Sequence, residues 1–191
     1  PFLIARSTLA GGTLATAFVV VAARDRFGLP AGEANLLALA IVAGPLFTGV
    51  FLGRLADRAG SAPVYLVGGL AGAVGAFALV VAPSVPVYLV GLLLLGSMVI
   101  VSGVGDMTMA FRVGHGGPGY RRAAVASVNL ALLPAGLLGP LLGGALVRAG
   151  GPSTAFLVAG LLALAGGCCT AVTAARLLAT PDRLGGPSHA R

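Results

Sequence analysis

Lysine and tryptophan are absent from this chain of 191 residues, and only five residues are acidic. Charged residues of every kind make up 9% of the sequence, where a soluble domain carries about a quarter. That shortage excludes an ordinary water-soluble globule, because there is too little polar surface to cover one. Histidine occurs twice, at His115 and His189, and cysteine twice, at the adjacent Cys168 and Cys169. Neighbouring cysteines do not form an ordinary structural disulfide. With so few histidines there is no metal-ligand spacing, so neither a metal nor another cofactor is expected. Both cysteines read as small residues of a helix.

Apolar residues make up 58% of the chain, and its mean hydropathy is +1.03. Six apolar stretches, at about 7–23, 34–52, 63–82, 86–105, 123–147 and 153–175, each approach the ~20 residues that cross a bilayer as a helix. They are apolar on every face, without the alternation of a barrel strand. The expectation is an all-α membrane protein: a six-transmembrane-helix bundle over residues 1–179, followed by a polar tail at 180–191. The solvent for most of this chain is lipid, its one partner of certain chemistry.

All twelve basic residues are arginine, giving a net charge of +7. They sit between apolar stretches rather than on one face, and no aromatic platform accompanies them, so nucleic acid is excluded as a partner. They orient the chain instead. Arg6, Arg54, Arg58, Arg112, Arg121, Arg122, Arg176, Arg183 and Arg191 fall on one side of the bilayer, and Arg24, Arg26 and Arg148 on the other. Nine against three places both termini in the cytoplasm, with a bacterial-type plasma membrane as the expected location. The start at Pro1 has no signal-peptide pattern; the chain is expected to be processed or part of a longer one.

Gly68, Gly72 and Gly75 recur at helical spacing, as do Gly136, Gly139 and Gly143. Small residues let helix backbones approach closely in lipid. Pro45, Pro134 and Pro140 interrupt apolar stretches and free backbone carbonyls, which marks either a kink or a transport site. Asp106, where the fourth stretch ends, reads as a cap, as a partner of Arg112, or as a proton or cation site. Asn129, the most polar residue early in the fifth stretch, reads as a substrate contact or as a hydrogen-bonding group between helices, and Thr13 and Thr16 in the first stretch are candidate path residues. Arg6 reads as an orientation anchor. Gly114–Gly119 lacks the Gly-Lys-Ser/Thr ending and the strand–loop–helix setting of a phosphate-cradling loop.

The most specific string is Gly53-Arg54-Leu55-Ala56-Asp57-Arg58-Ala59-Gly60, between the second and third stretches. It resembles the G-x-L-A-D-R-x-G signature of the major facilitator superfamily. Gly60 permits a tight turn, and Asp57 is short enough to cap a neighbouring helix or pair with arginine. The resemblance implies a cytoplasmic latch with Asp57 as its acceptor. The two basic residues that usually follow are replaced by Ser61, Ala62 and Pro63. Gly139-Pro140-Leu141-Leu142-Gly143-Gly144 is similar to the core of the family's fifth-helix motif. The fourth stretch, Leu92-Leu93-Leu94-Leu95-Gly96-Ser97-Met98, lacks the arginine of first halves, so the resemblance points to the second half of a transporter.

By that resemblance the chain is one six-helix half of a secondary transporter. It would move a small solute, with a proton or another ion as the candidate coupling partner, and pair with the other half or a second copy. The few mild polar groups along the path suit an apolar or amphipathic substrate, as in efflux of drugs or metabolites. An intramembrane enzyme needs a nucleophile–base pair or metal ligands at membrane depth, and no stretch holds one. A non-transporting scaffold or sensor on the same fold is the alternative, and solute flux separates the two.

Overall fold

The computed structural model describes residues 1–113 and 118–179, and these residues form helices throughout, apart from short connections. Five helices are long and apolar enough to cross a membrane. Helix α1 runs Phe2–Phe27, with a tighter 3₁₀ stretch at Gly12–Phe18; α2 runs Ala31–Ala59; α3 runs Ser61–Val81; α4 runs Val85–Phe111, with a π-turn at Val101–Gly105. Helix α5, Pro118–Ala179, takes up the fifth and sixth apolar stretches in one element, so five rather than six separate helices are seen among the described residues.

Inside α5 the backbone leaves helical geometry at Gly150 (φ −148°, ψ 17°) and Gly151 (φ 77°, ψ 176°). The positive φ is one that only glycine adopts readily, and Pro152 follows, which disfavours helical geometry in the residue before it. The Thr154 hydroxyl donates to the Gly150 carbonyl at 2.8 Å across this break.

The two arms of α5 pack on α1 in opposite register. On the first arm, Gly139 lies by Leu14, and Gly143 lies by Leu14 and Phe18, so residue numbers rise together. On the second arm, Leu9 lies by Gly166, while Gly12 lies by Ala159 and Ala163, so numbers run oppositely. The second arm is also antiparallel to α3, where Gly69 meets Gly167 and Phe77 meets Gly160.

Glycine sets the remaining packing. On α3, Gly68 receives Val101, Gly72 receives Met98 and Gly75 receives the backbone of Leu95, so α3 and α4 zip together antiparallel. Helices α2 and α4 cross where Gly44 faces Gly96, and a Cβ at either glycine would strike backbone. This is the close approach that small residues allow where no hydrophobic effect drives association. The 68-72-75 repeat is thus a packing face. Gly136 breaks the other repeat: a Cβ there would meet nothing within 4 Å among the described residues beyond its own turn of helix.

At the end of the bundle where α1 finishes, the Arg26 guanidinium donates to the carbonyls of Leu79 (2.8 Å) and Val80 (2.9 Å). These are last-turn acceptors of α3 with no helical partner. The buried Tyr88 hydroxyl donates to the Val19 carbonyl at 2.7 Å, and its ring meets Phe27 edge-on. Large apolar side chains stay exposed along α2, among them Leu39, Val42, Leu46, Phe47 and Val50, as expected of a surface facing lipid or another bundle.

Candidate functional site

Three helices meet in a buried polar cluster at the opposite end. Arg6 stands in the second turn of α1, Tyr65 near the start of α3, and Asp106 directly after the π-turn of α4. The Arg6 guanidinium grips the carboxylate with two nitrogens. Its Nε donates to Asp106 Oδ1 at 2.9 Å and to Oδ2 at 3.1 Å, and an Nη donates to Oδ2 at 3.0 Å. The Tyr65 hydroxyl donates to Oδ1 at 2.8 Å. Arg6 is 2% exposed and Tyr65 fully buried.

Local sequence explains the placement. A π-turn inserts an extra residue into a helix and shifts every side chain after it around the axis. The one at Val101–Gly105 ends immediately before Asp106. Gly105 supplies the space beside it, since a Cβ there would stand 2.9 Å from the Tyr65 ring. The ring is held on its other side by Phe2, edge-on with centroids 5.9 Å apart. One turn along α4, Met109 accepts from the Ser61 hydroxyl and extends the junction between α3 and α4.

Desolvating two ions is costly, and only close geometry with added hydrogen bonds offsets it. The bidentate guanidinium and the phenol supply both, and the cluster is neutral overall. It clamps the ends of α1, α3 and α4 into one unit. Arg6 is thus more than an anchor, and Asp106 takes Arg6, 100 residues away, as an ion-pair partner. The Arg112 side chain considered for that role lies outside the described side chains. The sequence held one usable signal: at this end of the bundle the only described carboxylates are Asp57 and Asp106, and Asp106 adjoins a glycine-rich turn.

The signature residues lie elsewhere at this same end. Gly53, Arg54, Leu55, Ala56, Asp57 and Arg58 form the last turns of α2 rather than a loop, and Gly60 makes the turn into α3 with φ of 86°. Asp57, Arg54 and Arg58 are exposed, and among the described residues none pairs with Asp57. The amino terminus of α3 has no side-chain cap. In the first arm of α5, Gly139 and Gly143 are buried against α1, Gly144 is partly buried and Pro140 is exposed. Asn129 is exposed on the same arm. The Thr13 and Thr16 hydroxyls turn back onto the carbonyls of Ala10 and Thr13 within the 3₁₀ stretch.

Among the described residues no group of histidine, cysteine and carboxylate side chains could hold a metal ion. The arrangement comprises a clamped cluster, a free carboxylate on a helix end, and glycine faces. No curated protein and no solved structure matches the chain. The family model described as Major Facilitator Superfamily matches residues 2–190. An apolar helical bundle matched over nearly its whole length in this way belongs to the major facilitator superfamily.

Proposed function

We propose that this chain forms one six-crossing bundle, the second half, of a secondary transporter that moves a small solute by alternating access. Family membership over residues 2–190 is the observation that carries the reading; the family is one of transporters rather than enzymes. The opposite register of the two α5 arms on α1 supports six crossings, with Gly150–Gly151 as the turn between the last two. The nine arginines on one side support a plasma membrane orientation with both termini in the cytoplasm.

Alternating access rocks one bundle against another around a central site, and each bundle must hold its shape while it rocks. The Arg6–Asp106–Tyr65 cluster serves that purpose within this half. Asp57, exposed at the end of α2, is free to bond across to the other bundle in one state and release it in the other. The exposed apolar face of α2, with Asn129 and Pro140 on α5, faces that partner or the path. An apolar or amphipathic substrate, exported and coupled to a proton or another ion, suits these surfaces.

Flux of amphipathic fluorescent dyes from vesicles carrying the full-length protein tests this. Wild type should deplete dye against a gradient, and Asp57→Asn should slow efflux at least ten-fold at equal protein in the membrane. A wild type that moves neither dyes nor small metabolites faster than empty vesicles would favour the non-transporting scaffold.

A further inference from the structure

A cavity of about 240 Å³ opens at the end of the bundle opposite the polar cluster, where α1 finishes, α4 begins and the second arm of α5 begins. It lies below the roughly 300–1,000 Å³ of sites for drug-sized ligands, so its occupant is a small group. The floor is apolar: Ala22, Tyr88 and Phe156 are all buried. The polar wall carries Asp25, Arg26 and Ser153, all exposed.

Two chain neighbours of opposite charge share this wall, and the structure shows them in different states. Arg26 is fixed, with two of its five N–H groups given to the carbonyls of Leu79 and Val80, which leaves the others for an anionic oxygen. Asp25 is unengaged: among the described residues no hydrogen bond or ion pair uses its carboxylate. The wall therefore offers an acceptor for a cation beside a donor for an anion, over a floor that suits a short hydrocarbon link.

We propose that this cavity binds a small zwitterion, a primary ammonium joined through a short carbon link to a phosphate. The ammonium donates to the Asp25 carboxylate and the Ser153 hydroxyl oxygen, and the phosphate accepts from the remaining N–H groups of Arg26. A quaternary ammonium has no N–H to give and is larger, so a trimethylated ligand is rejected. Because the cavity lies where helices end, at the level of lipid headgroups, the ligand comes either from an ethanolamine phospholipid or from the free phosphoethanolamine of the surrounding water. The proposal concerns binding and does not depend on transport.

Calorimetry on the full-length protein in phosphatidylglycerol nanodiscs tests it with O-phosphoethanolamine as the probe, alongside a lipid-exchange series with phosphatidylethanolamine or phosphatidylcholine. Binding of the free compound identifies a soluble ligand, and selective retention of phosphatidylethanolamine alone identifies a headgroup site; either supports the proposal. Asp25→Asn, at an exposed position whose carboxylate makes no hydrogen bond or ion pair among the described residues, should weaken binding at least ten-fold, while Asp25→Glu should stay within about three-fold of wild type. Phosphocholine should bind at least ten-fold more weakly than phosphoethanolamine. Binding of neither source, equal binding of the choline and ethanolamine forms, or unchanged binding in Asp25→Asn would overturn it.

Discussion

Arg6→Leu should destabilise the folded bundle by about 3–5 kcal/mol, the usual cost of removing one partner of a buried ion pair. The substitution leaves Asp106 buried with the Tyr65 hydroxyl as its one remaining partner in the cluster. Asp106→Leu should cost no more than this, because it removes the guanidinium's carboxylate partner while the long arginine side chain can swing toward the near end of α1 and into water. Tyr65→Phe alone should cost about 1.5–3 kcal/mol, the range for a hydrogen bond to a charged group. The informative member of the series is the triple variant Arg6→Leu/Tyr65→Phe/Asp106→Leu. With no charge or hydroxyl left behind, it should recover most of the loss, since apolar replacement of a whole buried ionic cluster is often close to neutral. Helix content followed against denaturing detergent measures each value. Equal losses in the single and triple variants would mean that the cluster contributes shape rather than charge pairing.

Gly96→Val should be among the most damaging single changes in the chain. A Cβ at Gly96 would meet the Ile41 carbonyl oxygen and stand 2.9 Å from the Ile41 Cα, so the obstacle is backbone and no rotamer change relieves it. Overpacking costs about 1–3 kcal/mol and at times more, and here about 3 kcal/mol or more is expected because α2 and α4 must separate. The yield of monodisperse protein after extraction, with its melting temperature, reads the effect. Gly136→Ala is the control: with open space around it, the change should be neutral or should stabilise by up to about 1 kcal/mol, the helix preference of alanine over glycine. If the two variants behaved alike, the Gly44–Gly96 crossing would be wrong.

Much of this architecture could be read from the sequence, and the reasons for the rest are physical. Apolar runs of bilayer length found every long helix, because in lipid the chain has few other ways to satisfy its backbone. The boundaries moved where charge was mistaken for the end of a helix. The run at 34–52 continues to Ala59 because Arg54, Leu55, Ala56 and Arg58 are good helix formers, and only Gly60, with its positive φ, stops it. The fourth run passes through Asp106 for the opposite reason: a carboxylate paired with Arg6 and Tyr65 can lie inside the bundle. A linear reading sees Asp106 without a partner, since the arginine that accepts it is on another helix. The glycine repeat on α3 was legible as packing, yet which helix each glycine receives depends on the three-dimensional register.

Attachment of a membrane-impermeant maleimide to single cysteines, introduced one at a time after Cys168 and Cys169 are replaced by serine, tests the six-crossing bundle most directly. Ser153→Cys, just past the Gly150–Gly151 turn, should react in intact cells. Arg54→Cys, at the end of α2, and Ala175→Cys, near the end of the second arm of α5, should react only after the membrane is opened. Labelling of Ser153→Cys and Ala175→Cys from the same side would show that the second arm does not cross, and would contradict the account.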